Sequence, residues 1–120
     1  MGLLDRLLKR GAPKTPAEMD DLVLRQLASL GADLARPRHV LHFLYFTSEQ
    51  AARDAAAVVE QASWEATVTP PDAQVEQWSL RAESHRVVGP ETVAAFRAWF
   101  EQVAADFGGE YDGWEAASSP

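Results

Sequence analysis

A chain of 120 residues with a formal net charge of −7 and no cysteine is long enough to bury a sizeable core as one domain without staples. Without thiols it has no disulfide, thiolate metal site or cysteine nucleophile, a composition that fits a reducing, cytoplasmic setting. Charge is unevenly placed: residues 1–16 carry Arg6, Lys9, Arg10 and Lys14 against Asp5, a net of +3, which leaves −10 on the remainder.

Residues 2–10 read as a short basic amphipathic helix, with Leu3, Leu4, Leu7 and Leu8 on one side and Arg6, Lys9 and Arg10 beside them. Such a stretch suits a membrane surface or a partner, and would make the protein a tethered adaptor. Two turns are unstable alone, so a frayed end or a helix docked on its own domain is the plainer expectation. Asp5 and Arg6 interrupt the leucines, so no signal peptide is read here. Gly11, Pro13 and Pro16 break the pattern. Residues 1–15 are therefore taken as a basic segment and linker, 16–115 as the folded domain, and 116–120 as a disordered tail.

Thr15-Pro16-Ala17-Glu18 is a helix start, with a capping hydroxyl, a proline at the first position and a glutamate to complete the box. Met19, Leu22, Val23, Leu27 and Leu30 follow at helical spacing until Gly31. The run Arg38–Phe46 is a strand apolar in both alternations, which predicts a central strand covered on both faces. A helix over 48–62 has a stripe of small residues, Ala52, Ala55, Ala56 and Val59. Residues 64–69 alternate as a half-exposed strand, and Trp78, Leu80 and Ala82 mark a third. Gly89-Pro90-Glu91 opens a last helix to about 107 with a stripe of Val93, Phe96, Phe100, Val103, Ala104 and Phe107. Glu110–Glu115 then returns as a short strand or ordered turn.

Helix, then strand-helix-strand-strand-helix-strand, is the order of an α+β, ferredoxin-like βαββαβ sandwich preceded by an extra helix. The first and third strands are expected at the centre of an antiparallel sheet, with two helices on one face. The extra helix is the candidate to cover the Leu41/Phe43 face or a sheet edge.

A domain at −10 repels nucleic-acid phosphate, so no direct nucleic-acid partner is expected; a basic protein partner suits it, by steering more than by affinity. His39 and His42 sit three apart on a strand and point to opposite faces, so they do not chelate one ion; no metal or cofactor is expected. Ser79, Ser84 and His85 lack a strained nucleophile turn, so no catalytic residue is assigned. Gly108-Gly109 leaves a helix and offers carbonyls, which repel phosphate.

The densest chemistry is Glu110-Tyr111-Asp112-Gly113-Trp114-Glu115. In one reading Asp112-Gly113 makes a turn or bulge and both aromatics fold onto the last helix and the sheet. In the other, Glu110, Tyr111, Asp112, Trp114 and Glu115 form an exposed acidic-aromatic patch that binds a partner.

These residues also carry a resemblance. Asp21-Leu22-Val23-Leu24, Leu30-Gly31-Ala32-Asp33, Pro37 to Phe46, Trp78-Ser79-Leu80-Arg81-Ala82 and Ala104 to Glu115 resemble the bacterial ribonuclease E inhibitor RraB family over residues 20–115. The closing stretch is the most specific. Where the family pattern has a glycine and an aromatic ahead of the second strand, this chain has Ala62-Ser63-Trp64. The resemblance implies a small, non-catalytic, cytosolic regulator of RNA degradation. Its partner would be a ribonuclease E/G-type enzyme, bound through a basic, disordered, non-catalytic segment. The alternatives are a small-molecule-binding ferredoxin-like module or a membrane- or complex-tethered adaptor.

Overall fold

A computed structural model describes residues 15–118. The basic segment expected over 2–10, its linker and the last two residues lie outside the described residues. The described chain runs α1 (Pro16–Ser29), β1 (Arg38–Phe46), α2 (Glu49–Gln61), β2 (Glu65–Thr69), β3 (Trp78–Arg86), α3 (Pro90–Asp106) and β4 (Glu110–Ala116). It is an α+β structure with three described helices and one four-stranded sheet of order β2-β3-β1-β4, every neighbouring pair antiparallel. The expected central places of the first and third strands are met.

Local chemistry explains the element starts. The Thr15 hydroxyl accepts from the Glu18 amide at 3.1 Å, and the Ser48 hydroxyl accepts from the Ala51 amide at 3.2 Å. Gly89 begins α3 with Pro90 after it, and the Thr92 hydroxyl accepts from the Gly89 amide at 2.8 Å. The small stripe of α2 is fully inward, as expected, with Ala52, Ala55, Ala56 and Val59 buried.

The core lies between the sheet and the helices. Val40, His42, Leu44 and Phe46 of β1 face inward with Leu80 and Ala82 of β3, against Val59, Phe100, Val103 and Ala104. The other alternation of β1, Leu41, Phe43 and Tyr45, is only half-buried. This corrects two expectations. No described helix covers the Leu41/Phe43 face, and α1 instead packs against α3, on the covered side of the sheet. The apolar stripe of α1 also differs: Asp20, Val23, Leu24 and Leu27 are buried, whereas Leu30 is 60% exposed. Helical geometry ends at Leu30, and the left-handed Gly31 (φ 85°) turns the chain away.

β3 continues four residues beyond Ala82, to Arg86. Glu83-Ser84-His85-Arg86 is polar in both alternations and so carries no periodic signal, yet it pairs with Arg38–Leu41. Hydrogen bonds tie the chain to its neighbours through residue 118. Ala116 belongs to β4, and the Ala117 amide donates to the His39 carbonyl at 2.9 Å. Fully buried Arg38 donates from Nη1 to the carbonyls of Ala117 (3.1 Å) and Ser118 (3.0 Å), and from Nη2 to that of Asp33.

Candidate functional site

Tyr111 and Trp114 are three residues apart, and in a regular strand they would point to opposite faces. The structure breaks the alternation. Phe43 pairs with Gly113 and Leu44 with Tyr111, so Asp112 is an extra residue, a β-bulge next to a Gly113 with φ 111°. Both aromatics therefore turn toward the helices. Trp114 is 3% exposed and Tyr111 half-buried.

Each aromatic meets a polar partner inside. The Trp114 indole Nε1 donates to Asp20 Oδ1 at 2.8 Å. Arg97 grips the same buried carboxylate, from Nε to Oδ2 at 2.7 Å and from Nη2 to Oδ1 at 2.8 Å. The Asp20 bond holds the guanidinium above its ordinary pKa. Arg97 also lies 5.1 Å from the centroid of the Tyr111 ring. The Tyr111 hydroxyl is 2.7 Å from His42 Nδ1, and burial pushes that phenol above its usual range.

His42 sits among rings, stacked on Phe100 at 4.2 Å and edge-on to Trp64 at 5.0 Å. Burial first, then the charges of Arg97 and Arg86, pulls its pKa down to about 3. The imidazole is thus neutral, and its Nε2 has no hydrogen-bond partner among the described residues.

The same bulge sorts the carboxylates outward. Glu110 pairs with Tyr45 and Glu115 with Leu41, both on the open face of the sheet. Asp112 lies close enough to Tyr45 for its charge to help raise that phenol's pKa, after burial. All three carboxylates are exposed, and none forms an ion pair among the described residues. The Asp112 carboxyl is shifted upward, by partial burial and then by the charge of Glu110. Of the five residues singled out in the sequence, the structure brings Glu110, Asp112 and Glu115 to one surface and sends Tyr111 and Trp114 to the interior.

The remaining sequence candidates separate. His42 faces the core, whereas His39 faces the open side, 2.8 Å from Glu83. Ser84 pairs with Val40 and His85 with His39, so the two point to opposite faces of β3. Among the described residues no group of three His, Cys, Asp or Glu is arranged to hold a metal ion, and no helix is long and apolar enough to cross a membrane. The depressions are shallow. One, of about 250 Å³, lies between α1 and α3, lined by Asp21, Leu24, Val93 and Ala98. Another, of about 290 Å³, lies on the open sheet face between Phe43, Tyr45, Thr67 and Arg81.

Sequence reasoning missed Asp20, Arg97 and Arg38. The first two had a signal: a carboxylate inside the apolar arc of one helix and a guanidinium inside that of another. Arg38 had none, because it opens a strand at a position where an exposed side chain is the ordinary expectation.

With this geometry in place, comparison with known proteins adds one match. The family model described as RraB, regulator of ribonuclease activity B, matches residues 17–116. No curated protein matches the chain.

Proposed function

The chain belongs to the RraB family of regulators of ribonuclease activity, and from that premise we propose that it acts without catalysis, in the cytoplasm, by binding a basic, disordered segment of a ribonuclease of the E/G type. The family match carries this reading. It is supported by the −10 balance beyond residue 16 and by the three unpaired carboxylates Glu110, Asp112 and Glu115, which are its proposed contacts. We read the sheet order and its two crossover helices as a ferredoxin-like sandwich with α1 added before it.

The buried groups do not favour an enzyme. His42 is neutral, shielded by rings and far below the pKa of a useful base at neutral pH. Asp20 borders the shallow depression between α1 and α3, but its carboxylate already accepts from three donors.

The test is a pull-down with the full chain from lysate of its own cells. The expected result is recovery of a ribonuclease E/G-type enzyme at low salt, lost as salt rises. Absence of any such enzyme at low salt would count against the reading.

A further inference from the structure

One whole face of the sheet is left without a described helix, and its residues are of two kinds. Down the centre, β1 presents Leu41, Phe43 and Tyr45, all half-buried. Along the β4 side stand Glu110, Asp112 and Glu115, and opposite Phe43 on that side is Gly113, which offers no side chain to cover the ring. On the far side, Arg81 pairs with Phe43 and lies 3.4 Å from Glu83, while Glu65 of β2 pairs with Glu83. Arg81 is thus the one Lys or Arg on this face among the described residues, against five carboxylates. On the helical side Glu49 is paired with Arg53, and Asp20 and Glu101 with Arg97, while Glu60 and Glu91 are exposed without an ion pair among the described residues and without an aromatic strand beside them.

We propose that this open face docks an arginine-rich, extended segment of a protein partner, whose guanidinium groups lie flat on Phe43 and Tyr45 while pairing with Glu110, Asp112 and Glu115. The inference rests on the regulatory reading above, and names the surface and the partner's chemistry. Three arguments carry it. Unpaired carboxylates next to half-exposed rings fit a cation that both stacks and forks, which arginine does and lysine does poorly. The protein already uses this pairing internally at Arg97, which lies over Tyr111 while gripping Asp20, and Arg86 shows the stacking alone, 4.4 Å from the Trp64 ring centroid. A second copy of the chain is disfavoured as the occupant, because it would set these carboxylates against their own like.

The experiment titrates the full chain with an arginine–serine repeat peptide and a lysine–serine peptide of the same length and charge. The expected result is that the arginine peptide binds about fivefold more tightly. The double substitution Glu110→Gln/Glu115→Gln should weaken it about tenfold and flatten its salt dependence, as the loss of two surface pairs predicts. Phe43→Ser should erase the arginine preference and leave the charge-driven part. Thermal melts identify a Phe43→Ser protein that fails to fold, and the glutamine pair, on exposed positions, then carries the test. Glu60→Gln and Glu91→Gln, on the helical side, should change nothing. Equal affinity for the two peptides, a loss confined to the helical substitutions, or a dimer dispersed by the glutamine pair would each overturn the proposal. A ribonuclease captured equally by wild type and the glutamine pair would sink this face and leave the regulatory reading standing. Arginine-peptide binding with no ribonuclease captured would do the reverse.

Discussion

The Trp114 indole N–H bonds the Asp20 carboxylate at 2.8 Å across 94 residues of chain, and so ties the first described helix to the last strand. Arg97 of α3 supplies two more donors to the same group. Three elements thus meet on one buried anion. Such a group is costly to bury and costlier to leave half-made. Asp20→Ala strands a guanidinium and an indole N–H, and is expected to cost about 3–5 kcal/mol. Trp114→Phe keeps the ring and removes one donor, at about 1–3 kcal/mol. Urea unfolding of both variants checks the order. A smaller loss for Asp20→Ala than for Trp114→Phe would show that the donors do not depend on this carboxylate.

His42 makes acid stability predictable. Its pKa is about 3 when folded, against 6.5 for a free imidazole. The unfolded chain therefore takes up a proton first as pH falls below 6.5, and stability drops through that window. Between pH 6.5 and about 5 the expected loss is about 1.5 kcal/mol. Below that range Asp112, whose carboxyl is raised, acts in the opposite sense. Denaturant titrations at several pH values, on wild type and on His42→Phe, isolate the slope. An unchanged slope in His42→Phe would assign the dependence to another group.

The element order and most boundaries were legible because periodicity and caps are local: Thr15, Ser48 and the alanine stripe of α2 do in the structure what their spacing implies. The end of β3 was not, since Glu83–Arg86 is held by pairing with β1 instead of by its own pattern. The place of α1 was not legible either. Its position depends on Asp20 finding Arg97 and Trp114, a contact between residues 77 and 94 positions apart. At the candidate site the residue types were legible, but their sorting between two faces depends on a single bulge residue. No residue type announces which strand partner it will skip.

Gly109 is required by a close approach and not by its backbone angle. A Cβ built there would overlap the Phe46 ring and the Tyr45 carbonyl, whereas at Gly108 it would meet nothing within 4 Å. Gly108 instead has φ 70°, which penalises any side chain on the backbone alone. Gly109→Ala is expected to cost about 1–3 kcal/mol as overpacking, and Gly108→Ala about 1 kcal/mol. Thermal or urea unfolding ranks them; the reverse order would mean that β1 yields easily at Tyr45–Phe46.

Ser63 is the described non-glycine residue with a positive φ, 70°, and it follows α2 directly ahead of Trp64. Its amide still closes the helix end on the Glu60 carbonyl at 3.0 Å. Ser63→Gly removes the left-handed strain and keeps that bond. A gain of about 0.5–1 kcal/mol is expected, reduced by the extra freedom of an unfolded glycine. A loss on urea unfolding would mean that the Ser63 side chain contributes something its exposure does not suggest.

The bulge itself can be removed. Deleting Asp112 makes Tyr111, Gly113 and Trp114 consecutive, so the two aromatics stand two apart in a regular strand and both still face the helices. The register that pairs Leu44 with Tyr111, Phe43 with Gly113 and His42 with Trp114 is the one such a strand would keep. The bonds of Trp114 to Asp20 and of the Tyr111 hydroxyl to His42 Nδ1 are therefore expected to survive, and the open face loses one carboxylate. The Tyr111 phenol should still titrate above the ordinary tyrosine range, because burial is what raises it. Ultraviolet titration of the tyrosines in the deletion variant, against wild type, reads this directly. A Tyr111 that ionises near the ordinary value would mean that β4 slips by one residue against β1 instead of closing the gap, which turns every side chain before the deletion to the other face.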